Sequence, residues 1–184
     1  MAGWIAKQLW EVAVDQYGYV TSKDARRLGI NVVELGKLSA RRQIQKVGHG
    51  IYRFGQLPVT ELDRYMLATL WANGRGVLSH ETALDLYELC DLNPSKVHIT
   101  VNGRHAPQRQ DGEMYKVHLE NIGLTDVTQF EGIPIVTERV AIEQCVRSGV
   151  AAKLISQALI NGRERGAITK NEKRMLAALL AARR

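Results

Sequence analysis

Apolar positions along the N-terminal part of the chain change their period once. Ile5, Leu9, Val12 and Ala13 recur at helical spacing and predict a first helix from about Trp4 to Val14, with Gly18 marking the turn after it. Thr21 then caps a second helix from Ser22 to Leu28, and Asp24 three residues on completes a T-x-x-D capping box whose carboxylate also suits the positive helix start. Gly29 suits the left-handed residue that ends a helix, and Ile30 supplies an apolar plug. Asn31 is expected to cap the third helix with Glu34 as its third-position partner. In that helix Val32, Leu35 and Leu38 share a packing face, which leaves Val33, Lys37, Ala40 and Arg41 on the opposite one. Next the period drops to two. Gln43 to Val47 and Ile51 to Phe54 alternate around Gly48-His49-Gly50, the pattern of a hairpin. Two short helices around a glycine turn followed by a hairpin spell a winged helix-turn-helix, in which the third helix enters a DNA groove and the wing lies beside it.

Beyond Leu57 and Pro58, Thr60 with Asp63 opens a helix through Leu62, Met66, Leu67 and Leu70, and Ser79 caps another in S-H-E-T-A-L-D-L-Y-E-L. Val97 to Val101, Tyr115 to His118 and Val127 to Phe130 read as strands, and Gly132-Ile133-Pro134 is expected to break the last. From Glu138 onward the pattern is helical: one helix to Arg147, one from Val150, and one capped by Thr169 and ending in Arg183 and Arg184. The predicted class is α+β: a winged helix-turn-helix over 1–56, then a mixed α/β body over 57–184 with a small sheet and C-terminal helices.

Charge sharpens this division. Residues 1–56 hold nine Lys or Arg against four Asp or Glu, so +5 of the net +6 lies in the head. A basic module on a near-neutral body suits a polyanion, although a solvated basic surface is the bland alternative. Hydrophobic content of 45% with 24% charged residues excludes a largely disordered chain. No stretch approaches the roughly 18 apolar residues of a membrane span, and MAGWIAKQLW lacks the features of an export signal, so a cytoplasmic protein without membrane contact is expected. Cys90 and Cys145 lack zinc-site spacing and read as buried thiols.

The residues expected to meet double-stranded DNA are Ser22, Asn31, Val33, Lys37, Arg41, Arg42, Lys46, His49 and Arg53. Small or apolar groups such as Val33 can touch thymine methyls, Lys37 and Arg41 can reach guanine edges or phosphates, and Ser22, Arg42, Lys46, His49 and Arg53 can contact the backbone or minor groove. Gly36 costs about 1 kcal/mol relative to Ala in mid-helix, and close approach either to DNA or to a neighbouring helix would account for it. Glu34 suits capping or pairing with Lys37 better than a cytosine contact. His80, His98, His105 and His118 show no two-, three- or four-residue ligand spacing, so a metal site would have to assemble from distant positions, and none is expected. Phosphate loops and nucleophile elbows are absent. Asp111 and Glu113 near Lys116 read as solvated loop charges rather than a nuclease centre. No motif calls for a cofactor, and a non-enzymatic protein is expected.

Three runs in the head, Gly18-Tyr19-Val20-Thr21, Ala25-Arg26-Arg27-Leu28-Gly29-Ile30 and Gly48-His49-Gly50-Ile51-Tyr52-Arg53, resemble the winged helix of the AbiEi-type antitoxins of type IV toxin-antitoxin systems. In the body, Val77 to Leu84, Val97 to Val101 and Gly132 to Arg139 resemble the family's second domain. The resemblance implies an antitoxin that represses its own operon at inverted repeats and counteracts a nucleotidyltransferase-like toxin, an action that need not involve direct contact. Arg41-Arg42 stands where members of the family more often carry a glycine before the first wing strand. A winged-helix repressor with an effector-binding body, and a metal-dependent nuclease, are the competing readings.

Overall fold

The computed structural model describes residues 2–103 and 112–183, which fall into two compact units divided between Arg75 and Gly76. Helix α4 (Asp63–Trp71) therefore clusters with the head and not with the body.

The first unit begins with α1 (Ala2–Asp15), β1 (Tyr19–Thr21), α2 (Ser22–Arg27) and α3 (Val33–Ala40), and continues with β2 (Gln45–Gly48) and β3 (Ile51–Arg53). The capping box at α2 forms as the sequence predicts: Thr21 Oγ1 accepts from the Asp24 N–H at 3.1 Å, and Asp24 Oδ2 accepts from the Thr21 N–H at 2.9 Å. Gly29 ends α2 at φ +70°, and Ile30 turns inward, 5% exposed. The third helix starts differently from expectation. Asn31 Oδ1 accepts from the Val33 N–H at 3.0 Å, while the Glu34 carboxylate turns away from Asn31 to Lys37 Nζ at 2.6 Å. Leu9, Ala13, Val20, Ala25, Leu35, Leu38, Ile44 and Phe54 pack together, with Trp10 meeting Phe54 edge-on at 5.3 Å.

The wing is a three-stranded sheet in the order β1-β3-β2 rather than a bare hairpin. Tyr19, Val20 and Thr21 pair antiparallel with Arg53, Tyr52 and Ile51, so the segment before α2 becomes the third strand. With only three residues, β1 has too little alternation to announce itself in sequence.

In the second unit β4 (Val77–Leu78) leads into α5 (His80–Leu86), followed by β5 (Val97–Val101), β6 (Tyr115–Leu119), β7 (Val127–Phe130) and β8 (Ile133–Val136). These strands form one mixed sheet in the order β6-β5-β4-β8-β7. The expected break at Pro134 is corrected: Glu131 and Gly132, at φ +48° and +80°, make a tight turn, and the chain returns as β8. Proline is tolerated there because β4 contributes one register pair to β8, Leu78 with Ile135, so little of a ladder is lost to the missing N–H. Three helices complete the body: α6 (Glu138–Arg147), α7 (Ala152–Glu164) and α8 (Lys170–Ala182). Ile99, Ile133, Ile135, Ile142, Ile155 and Ile168 supply much of its buried core, and both cysteines are buried thiols. Among the described residues no helix is long and apolar enough to cross a membrane.

Candidate nucleic-acid interface

The outer face of α3 follows from its inner one. Leu35 and Leu38 are anchored in the core, so residues offset from them by about half a turn must face solvent. Val33, Gly36, Lys37 and Ala40, spaced i, i+3, i+4 and i+7, are all exposed, and Val33 is a large apolar side chain left 61% open. An ideal Cβ on Gly36 would meet no atom within 4 Å, so no neighbouring helix of the described chain requires this glycine. Lys37 sits on the same face with its ammonium on Glu34, in an i, i+3 pair whose members both remain partly exposed.

Two arginines close the helix. Arg41 is its exposed C-cap at φ −83°, and Arg42 follows in the left-handed region at φ +58°. The Arg42 N–H donates to Ser39 O at 2.9 Å and the Gln43 N–H to Leu38 O at 3.0 Å, the bond pair of a Schellman terminator. Arg42 thus occupies the position at which glycine is most at ease, where the resemblance expected one, and a cation stands there at a cost in strain. It lines a shallow groove of about 480 Å³ whose other walls include Ser39, Gln45 and Lys46. Lys46 is exposed on β2 opposite Tyr52, and His49 is exposed at the wing tip.

The wing is anchored at its tip. Ser22, the first residue of α2, donates its N–H to Gly50 O at 2.8 Å, and a Cβ on Gly50 at φ +69° would come within 3.1 Å of Ser22 Oγ. Glycine suits the left-handed backbone there, and any other side chain would press on Ser22 Oγ. Ser22 is half-buried beside the tip, and Asn31 is exposed with its amide oxygen engaged by Val33.

One expected contact residue is corrected. Arg53 turns inward: its Nε and Nη2 bond Asp63 Oδ2 at 3.2 and 3.0 Å, and Nη2 also donates to Leu57 O and Pro58 O. Both partners of the pair are nearly buried, with side chains 11% and 7% exposed. Asp63 Oδ1 meanwhile accepts from Thr60 at the start of α4, so one carboxylate closes a helix and holds the base of the wing. The guanidinium also lies over Tyr19, 5.7 Å from the ring centroid. A phosphate would have to displace all of these partners. The T-x-x-D pattern at Thr60 was legible, but nothing local linked it to an arginine ten residues earlier.

His80, His98 and His118, dispersed along the sequence, meet in the second unit beside Glu120. His105 and Asp111 lie outside the described residues, while Glu113 is exposed on a short turn before β6.

Residues 7–55 match the family model described as "Transcriptional regulator, AbiEi antitoxin". No curated protein matches the chain.

Proposed function

We propose, with the match of residues 7–55 to AbiEi antitoxin transcriptional regulators as the premise, that this chain is a sequence-specific DNA-binding antitoxin. It represses its own toxin-antitoxin operon at inverted repeats and counteracts a nucleotidyltransferase-like toxin, with or without direct contact. The observation that supports this reading best is the α3 face of Val33, Gly36, Lys37 and Ala40, exposed, small or apolar at its centre, and free of any intramolecular reason for its glycine.

In this reading α3 lies in the major groove. Val33 and Ala40 approach thymine methyls, Gly36 lets the helix backbone come close, and Lys37 and Arg41 address guanine O6 and N7. Lys37 exchanges its surface partner Glu34 for the groove at small cost, since such pairs contribute about 0–1 kcal/mol. Arg42 and Lys46 flank the groove as phosphate contacts, with Ser22, Asn31 and His49 at the periphery. The residues of 57–184 outside this interface carry the antitoxin role.

Footprinting on the DNA upstream of the protein's own gene tests the reading. Two protected half-sites in inverted orientation, separated by about one helical turn or a multiple of it, are expected. Binding no tighter there than on random duplex would overturn it. Joint substitution of Lys37 and Arg41 should derepress the operon while protection against the cognate toxin survives, and equal loss of both in a folded variant would argue against the division of roles.

A further inference from the structure

In the second unit, parallel pairing of β5 with β6 sets His98 opposite Lys116 and Thr100 opposite His118. Alternation then puts His98, Thr100, His118 and, just past the strand, Glu120 on one side of the sheet. His80 reaches the same place as the first residue of α5, at a left-handed φ of +52°. Its ring stacks on that of His118 with centroids 3.4 Å apart and 13° between planes.

The polar atoms converge. His80 Nε2 lies 3.2 Å from Glu120 Oε1, and the ligand atoms that His80, His118 and Glu120 offer all lie within 4.8 Å of one another. Each of the three is also held by a neighbour. Ser79 Oγ stands 3.0 Å from His80 Nδ1, and His98 Nδ1 stands 3.3 Å from His118 Nε2. Gln144 donates to Glu120 Oε2 at 2.6 Å and accepts from the His80 N–H at 3.2 Å. His80 and His98 are buried at 1% and 4% exposure, whereas the Glu120 side chain is 39% exposed, so the group is closed behind and open to solvent at the carboxylate.

The rings are uncharged near neutral pH. Burial first, then His118, His98 and Lys116, pushes His80 down to about 3. Burial and Lys116 lower His98 to about 4, and burial, His98 and Lys116 do the same to His118. The His80–Glu120 contact is accordingly a hydrogen bond from neutral imidazole to carboxylate, and an ion entering between them displaces that proton from Nε2 and leaves Nδ1 to donate to Ser79 Oγ. Neutral imidazoles keep a nitrogen lone pair for a metal, and a ligand set whose remaining polar atoms are fixed by second residues is how metal sites orient their donors. Lys116 opposes a cation here, and Glu120 offsets it.

We propose that His80, His118 and Glu120 bind one divalent transition-metal ion of the zinc class, for which the two imidazole rings turn apart from their stack while Ser79, His98 and Gln144 keep the three groups at the site, with a fourth position open to water. Two imidazoles and a carboxylate suit zinc, at bond lengths of about 2.0–2.2 Å, and the soft-ligand alternatives lack a thiolate among these three groups. The site lies outside the DNA-binding face and does not rest on the function proposed above.

The test uses the full-length chain, freed of any affinity tag and stripped with chelator, titrated with Zn2+ and separately with Co2+. One equivalent per chain, Co2+ absorption bands of a four- or five-coordinate N/O site, and a raised melting temperature with Zn2+ are expected. His118→Ala and Glu120→Gln should each weaken binding at least about tenfold. Glu120→Gln is isosteric and half-exposed, so it keeps the test decisive if removal of a ring impairs folding, and circular dichroism verifies each variant. Absence of stoichiometric binding by the unsubstituted protein, or wild-type binding by folded Glu120→Gln, overturns the proposal.

Discussion

Gly36→Ala should move stability and DNA affinity in opposite directions. Glycine in a helix interior is less favourable than alanine by about 1 kcal/mol, and the new methyl would meet no atom within 4 Å, so the whole propensity gain is realised. Nor is the backbone in the left-handed region, where alanine would add strain. The head should therefore gain about 1 kcal/mol, which for a unit of this size raises the melting temperature by about 4–8 °C. In the proposed DNA-binding mode the same methyl would occupy the space through which α3 approaches the bases. Forcing an extra methyl group into a close-packed contact costs roughly 1–3 kcal/mol, which is about 5–150-fold in Kd on the operator. Urea denaturation of the free protein and operator titration at fixed salt give the two numbers. If the variant is more stable and binds as tightly as the parent, α3 does not approach DNA through this face. A loss of stability would instead contradict the open surroundings of Gly36.

Arg42→Gly should stabilise the head by about 0.5–1 kcal/mol, because relief of a left-handed side chain exceeds the added unfolded-state entropy, while lowering the salt dependence of DNA binding by roughly one phosphate; an unchanged salt slope would remove Arg42 from the interface. Arg53→Ala should cost about 3–5 kcal/mol by stranding the buried Asp63 carboxylate, read by chemical denaturation, and a variant of full stability that merely loses DNA affinity would restore Arg53 to the contact surface. Arg41→Ala should cost roughly 1–3 kcal/mol on the operator and far less on random duplex, whereas Lys46→Ala should weaken both alike; equal penalties from Arg41→Ala would reduce α3 to a backbone clamp.

The elements governed by near neighbours were legible in the sequence. The Thr21–Asp24 box, the Gly29 terminator and the buried stripe of Leu35 and Leu38 depend on residues within a turn of one another, and each formed at its expected place. The outer α3 face followed from the same stripe. What escaped depends on pairing across distance. Strands β1 and β4, three and two residues long, exist only because β3 and β5 are beside them. Pro134 read as a breaker because the short pairing of β8 with β4, Leu78 with Ile135, could not be foreseen. Arg53 looked like a wing cation until Asp63 was found beneath it. The histidines carry no ligand spacing, since strand register brings His98 and His118 together and His80 joins them from the start of α5, and register is a property of the folded sheet.

The wing is clamped at both ends, at its tip by the Ser22–Gly50 bond and at its base by Arg53 on Asp63. In the DNA-binding reading proposed above, the wing is thereby tied to α2 and to the start of α4 before any duplex arrives, and the head behaves as a caliper with a set opening. Such a reader does not adjust to the duplex, so the duplex must adjust to it. Sites with easily deformed steps between the reading helix and the wing should be favoured even where no side chain touches a base. Replacing an uncontacted pyrimidine–purine step in the operator by a stiff A-tract should weaken binding, and indifference to that exchange would mean that the caliper opens.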